Sequence, residues 1–274
     1  MRKLLPGSVA LIALFIPAMF LTVPAMAADL EVSGGPAYKA ARPVVRAYDW
    51  TGFYVGGNAG GHWGTDKLTT VTDGDFEGLG PAGGLAIDSF SPTTLHPSGF
   101  LGGLQAGYNL EGSGGVFGIE VDANWLGGSA SRTLTGFPAI SPRDAMSNSV
   151  QATFLSTLRM RWGTTVLSDR SLLYVTAGFA FETIKTTDQM GHLNNAVIAA
   201  TSNSTTEPGV AAGAGFEYAF TDNISAKFEY LYVAVKNVGT TIPVTAAGGD
   251  SIAVSHEYSE QIGRFGLNFK FFGG

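Results

Sequence analysis

A period of two constrains this chain more than any other feature. From Trp50 onward, apolar and polar side chains alternate in eight segments, and a 3.6-residue repeat is nowhere sustained. Segment 53–63 sets Phe53, Val55, Gly57, Ala59, Gly61 and Trp63 against Tyr54, Gly56, Asn58, Gly60 and His62. Segment 116–125 is sharper, with Phe117, Ile119, Val121, Ala123 and Trp125 alternating with Gly118, Glu120, Asp122 and Asn124. The other six are 100–109, 152–162, 172–182, 210–220, 224–235 and 262–271. Successive side chains of a strand point to opposite faces, so the pattern predicts eight strands, each with one apolar and one polar side.

The connections choose among architectures. Tight links at 111–114, 163–171 and 221–223 alternate with long ones at 64–99, 126–151, 183–209 and 236–261. An antiparallel up-and-down barrel collects its odd connections at one rim and its even ones at the other. Outer-membrane barrels have long external loops and short periplasmic turns. Segments of this length also suit a tilted bilayer crossing. The fold class expected is therefore all-β: an eight-stranded antiparallel up-and-down transmembrane barrel with four long external loops near residues 80, 140, 200 and 248.

A soluble lipocalin-like barrel shares the alternation but turns its apolar face inward. Aromatic placement separates the two. Phe53, Tyr108, Phe117, Trp162, Phe220 and Phe271 fall beside the short turns, while Trp63, Phe100, Trp125, Phe181 and Tyr232 fall toward the long connections. Two such bands fit the aromatic girdles at the two membrane interfaces, with outer-membrane lipid between them. The polar faces then line the lumen. They carry Glu120, Asp122, Glu182, Glu217 and Glu229 against Arg159, Arg161, Lys227, Arg264 and Lys270. Side chains fill the interior of an eight-stranded barrel, and an unpaired charge there is costly. The balanced set is expected to form one interlocked salt-bridge network rather than a catalytic site.

The amino-terminal end reads differently. Arg2 and Lys3 precede an uncharged, mostly apolar stretch that closes on Ala25-Met26-Ala27. This is the pattern of a secretory signal, with cleavage expected between Ala27 and Ala28. Residues 28–49 carry Pro36 and Pro43 without periodicity and read as a periplasmic linker, leaving 50–274 as the barrel.

Composition removes several functional classes. With no Cys, the chain has no thiolate metal site, cysteine nucleophile or disulfide framework. A net charge of −6 without a Lys/Arg cluster argues against nucleic acid as a partner. No GxxxxGKS/T, GxSxG or HExxH motif occurs. The four histidines, His62, His96, His192 and His256, match no ligand spacing and are expected to be scattered polar residues at strand ends and in loops. No cofactor and no enzyme activity is expected.

The stretch Trp50-Thr51-Gly52-Phe53-Tyr54-Val55-Gly56-Gly57-Asn58-Ala59-Gly60 resembles the opening of the outer-membrane immunogenic-protein family of small Gram-negative porin-like surface barrels. Gly102 through Tyr108, Glu217-Tyr218, Glu229-Tyr230-Leu231-Tyr232 and the closing run from Arg264 to Phe271 add to the resemblance, which spans the mature chain. It implies an eight-stranded outer-membrane barrel inserted by the barrel insertion machinery and exposed to host or environmental ligands through its loops. Such barrels usually end on an aromatic residue, whereas here Phe272 is followed by Gly273-Gly274. The function expected is a structural, surface-exposed barrel. A small diffusion channel, or a surface haem binder or outer-membrane enzyme, is the alternative.

Overall fold

A computed structural model of the chain describes residues 47–73, 93–137, 141–192, 197–235, 238–243 and 251–271. The expected cleavage site at Ala27 and Ala28 lies outside the described residues, as do the loop positions 80, 140 and 248.

Eight long strands form the wall: β1 (Gly52–Asp73), β3 (Ser98–Gly112), β4 (Gly115–Leu126), β6 (Ser141–Thr165), β7 (Ser171–His192), β8 (Val197–Ala219), β9 (Ile224–Val235) and β11 (Ser251–Phe271). Three shorter strands, β2 (Thr93–Leu95), β5 (Ala130–Phe137) and β10 (Val238–Pro243), pair beside β1, β6 and β11. All pairings are antiparallel, and each long strand pairs with the next along the chain. The sheet then closes, because β1 also pairs with β11 from Phe53↔Phe271 to Asp73↔Ser251. Closure gives the backbone of every long strand a partner on both sides, which the interior of a bilayer demands. Both ends of the wall and the three short turns lie at one rim, here the turn end; the other rim is the loop end.

The alternation sorts side chains as the sequence pattern predicts. Phe53, Trp63, Phe117, Trp125, Trp162 and Phe271 point outward and are exposed, whereas Glu120, Arg159, Glu229 and Arg264 point inward and are buried. One irregularity keeps the sorting in phase. A bulge in β6 between Ala152 and Phe154 lets Ala152 and Leu155, three positions apart, both face the interior. The extra residue, Thr153, donates its hydroxyl to Thr183 O at 3.1 Å.

The long connections are shorter than the alternation suggests. The expected connection 183–209 is largely strand, since β7 runs on to His192 and β8 begins at Val197. The same holds for 236–261, where β11 starts at Ser251, for 126–151, where β5 and β6 pair, and for 64–99, where β1 continues to Asp73. Position 200, expected in a loop, lies in β8. The reason is physical: beyond the apolar belt the outer face no longer needs apolar side chains, so the hydrophobic period fades while the ladder continues. Hydroxyl pairs such as Thr183–Thr206 at 2.8 Å and Thr187–Ser202 at 3.3 Å replace it.

The seam between β1 and β11 depends on a close approach at Gly60. A Cβ there would collide with the Gly263 carbonyl oxygen and the Arg264 backbone. Gly60→Val is expected to destabilise the barrel by about 1–3 kcal/mol, as overpacking does. A lower urea midpoint for the folded, heat-modifiable band on a gel checks it; an unchanged midpoint would show that the seam tolerates the side chain.

Candidate functional site

The inward faces stack into three layers, beginning at the turn end with the segment before β1. Trp50 is buried, donates its indole Nε1–H to Asp169 O at 2.9 Å and its backbone N–H to Glu111 Oε2 at 2.8 Å. Tyr48 donates its backbone N–H to Asp169 Oδ2 at 2.7 Å and stacks edge-on against Trp50 at 4.9 Å. These two rings pack with Val116, Leu172, Tyr174 and Ala219. Residues 48 and 49, expected to belong to an unfolded linker, are thus part of the packed structure.

Above this layer lies a charge network. Arg159 Nη2 donates to Glu120 Oε1 at 2.6 Å and to Asp122 Oδ2 at 2.8 Å, and its Nη1 stands 3.2 Å from Glu229 Oε1. Arg264 Nη2 joins Asp122 Oδ2 at 2.9 Å to Glu229 Oε2 at 2.6 Å. Lys227 Nζ donates to both oxygens of Glu120 at 2.8 and 2.6 Å, and Arg161 Nη2 to Glu217 Oε2 at 2.6 Å. Four carboxylates meet four cations, all buried. The remaining lone pairs are filled by neutral donors: Tyr54 on Glu120 at 2.7 Å, Tyr174 on Glu229 at 2.9 Å, Thr157 on Asp122 at 2.7 Å, and Asn268 on Glu217 at 2.8 Å. The Arg161 guanidinium also lies over the Tyr174 ring at 4.0 Å. Excellent geometry together with extra hydrogen bonds is what lets buried charges repay their desolvation.

Two expected members stand apart. Glu182 is fully buried, yet among the described residues no Arg or Lys reaches it, because its place along β7 is two inward positions beyond Gly178, at the level of Glu260 rather than of the arginines. Lys270 lies one inward position past Asn268, toward the turn end. It donates to Asp49 O and sits 4.2 Å from the centre of the Tyr48 ring, so it fastens the turn-end layer instead of joining the network.

The third layer is apolar. One inward step beyond the charges, Ile262 follows Arg264, Leu231 follows Glu229, Leu155 follows Thr157 and Leu126 follows Asn124. They pack with Leu101, Ala180 and Ala211 and continue toward the loop end through Val233, Tyr258, Ile184, Val150 and Leu68. Two histidines are embedded here, contrary to the expectation that they are scattered polar residues. His62 is fully buried with Nε2 2.7 Å from Gly127 O and Nδ1 against Glu260, and His256 is buried with Nδ1 2.9 Å from Asp66 Oδ2. Their strands extend past the apolar belt, which carries them into the interior. His96 is exposed, and His192 is the last residue of β7, in register with Asp144. Among the described residues, no group of three or more His, Asp or Glu is gathered as a metal site.

Outside, the aromatic bands are paired across strands. Phe53 and Phe271 lie 6.1 Å apart and Phe117 and Trp162 6.3 Å apart at the turn end, with Tyr108 and Phe220 also exposed there; Trp125 meets Phe154 at 5.9 Å toward the loop end, where Trp63 is exposed.

The outer membrane protein β-barrel domain family matches residues 13–271. The chain is similar to the 31 kDa outer-membrane immunogenic protein of Brucella melitensis, 32% identical over 93% of this chain and 97% of that protein. It is also similar to the 22 kDa outer membrane protein of Rhizobium leguminosarum bv. viciae, 27% identical over 84% of this chain and 82% of that one. Among solved structures, the outer membrane protein OprG of Pseudomonas aeruginosa shares the fold with a TM-score of 0.50 at 12% identity, covering 83% of this chain and 99% of that one.

The network predicts unequal costs. Arg159→Ala or Glu229→Ala strands buried charges and is expected to cost about 3–5 kcal/mol, whereas Lys270→Ala, at the rim, should cost well under half of that. Urea midpoints of refolded barrels in vesicles check the ranking, and equal effects would place Lys270 inside the network after all.

Proposed function

The chain belongs to the outer membrane protein β-barrel domain family and is an outer-membrane protein, and from that premise we propose that it is a structural, surface-exposed barrel rather than a conduit. The observation that carries this reading is the layered interior. The turn end is stoppered by Trp50 and Tyr48, the middle is bridged by charges that satisfy one another, and the loop-end half is packed with Ile262, Leu231, Leu155 and Leu126. A water-filled pore needs inward polar groups left free for solvent, and in the middle layer they are committed to each other. Outer-membrane lipid is the partner of the outward aromatic and aliphatic side chains, which are exposed around the whole wall.

The extended hairpins at the loop end are the part left to meet surface ligands, with the linker and the short turns on the periplasmic side. Because the chain has no Cys, single cysteine probes report cleanly. A probe at Ser202 is expected to react with an impermeant maleimide on intact cells, and probes at Ser113 and Asp222 only after lysis. The reverse pattern would invert the topology. In planar bilayers the reconstituted protein is expected to give no steady conductance steps; regular steps would favour the diffusion channel instead.

A further inference from the structure

The loop-end half of the barrel holds a second polar cluster that the network below does not use. On β1, β7 and β11 it gathers His62, Asp66, Glu182, Asp188, His256 and Glu260, each no more than 1% exposed. In one group, both nitrogens of His62 face acceptors, Gly127 O at 2.7 Å and the Glu260 carboxylate. Glu260 Oε2 and both oxygens of the adjacent Glu182 have no partner, so the two carboxyl groups lie together with no donor between them. In the other group, His256 Nδ1 meets Asp66 Oδ2 at 2.9 Å and its Nε2 stands 4.0 Å from Asp188 Oδ2; Asp188 Oδ1 accepts from Asn148 on β6 at 2.7 Å. Asp66 Oδ1, Asp188 Oδ2 and His256 Nε2 are also without partners.

The surroundings supply no compensating charge. β11 contributes the Tyr258 hydroxyl, 3.5 Å from Glu260 Oε1, and β8 contributes Glu207, in register with Glu182. β9, β3 and β4 present Val233, Val235, Leu101 and Leu126, and among the described residues no Arg or Lys enters the cluster. Arg264 lies below, beyond Ile262. With four carboxylates and two imidazoles in an apolar setting, the cluster is neutral only when it holds protons that the unfolded chain would release.

We propose that this cluster is a proton-held clasp, which binds the extended parts of β1, β7 and β11 together in acid and loosens them as the pH rises through neutral. Burial opposes charge on His256, but the hydrogen bond it donates to Asp66 and the charges of Asp66 and Asp188 outweigh it and hold the ring above its ordinary value. Burial raises Asp188, with Asp66 adding to it against the opposing Asn148 hydrogen bond and His256 charge. Both shifts have the same sign for stability. A raised histidine stabilises fully below its unfolded value and loses that contribution as pH rises through its folded value. A raised carboxylate favours the folded form while protonated and turns against it as it ionises. The folded clasp therefore binds more protons than the open one, and its stability falls from about pH 4 to beyond about pH 6.5. The network below contains no imidazole, and each of its carboxylates is paired with a cation.

The test is hydrogen exchange on the full chain refolded in detergent micelles, read as protection factors so that the intrinsic pH dependence of exchange is divided out. Amides of 65–73 and 251–260 are compared with those of 116–125 in the same sample. Since each linked proton contributes up to about tenfold per pH unit, relative protection of the loop-end amides is expected to fall at least about tenfold between about pH 5 and about pH 8. In Glu182→Gln/Asp188→Asn, whose neutral amides mimic the protonated clasp, the fall should shrink to under about threefold, being the part His62 and His256 leave. Flat protection in the unsubstituted barrel, or the full fall retained in the double variant, would overturn the proposal. Should that variant fail to fold, the His256 ring proton in the unsubstituted barrel decides: a midpoint above about 6.5 supports the clasp and one at or below it overturns it.

Discussion

Everything in this molecule follows from the closure of β1 onto β11. A lipid-facing strand with an open edge leaves N–H and C=O groups with no partner, at several kcal/mol each. The β1–β11 ladder removes the two edges that eight sequentially paired strands would otherwise expose. Closure at eight strands also fixes the diameter, and a wall this narrow brings side chains from opposite strands into contact. Glu120 on β4 therefore meets Lys227 on β9, and Asp122 on β4 meets Arg264 on β11, across the lumen rather than along the wall.

That contact explains why the interior charges come as a matched set. Once the diameter is fixed, Glu120, Asp122 and Glu229 each meet cations from more than one strand, and any mismatch among them is left buried. The layers on either side make the condition stricter. Trp50, Tyr48 and Leu172 cover the network from the turn end, and Ile262, Leu231 and Leu155 from the other, so water has little part in screening it. Low local dielectric strengthens a satisfied network and penalises an incomplete one. The inward glycines belong to the same logic, since Gly107, Gly215 and Gly266 leave the space that the Tyr54 ring, the Tyr174 ring and the Lys227 stem occupy.

Much of this could be read from the chain alone, because alternation, loop rhythm and charge balance all derive from the membrane. Within the apolar belt one face must be apolar, so Phe117, Ile119, Val121, Ala123 and Trp125 announce their strand. Where the membrane ends, that requirement ends, and β7 and β8 continue through Thr and Ser without a hydrophobic period. This is why His62 and His256 read as loop-end polar residues although both are buried. Glu182 and Lys270 sit on the correct face but at the wrong height: the period of two gives a side chain's face, while its level in the barrel depends on register, which the sequence pattern does not encode. The bulge at Thr153 left only an ambiguous trace, a break in the clean alternation of segment 152–162.

The two interior clusters divide the chemistry of charge between them. In the membrane-level cluster the cations Arg159, Arg161, Lys227 and Arg264 each contact a buried carboxylate, so the barrel's middle is held in one arrangement. Inside the loop end the only described cation candidates are two imidazoles, whose charge is set by the surrounding medium. A reversal would make little physical sense. Titratable groups at membrane level would endanger closure itself, whereas at the loop end they act on strands that extend beyond the apolar belt and can separate without exposing a lipid-facing edge. The same wall can thus be rigid where lipid demands it and responsive where it meets water, with the apolar step at Ile262 and Leu231 keeping the two clusters electrostatically apart.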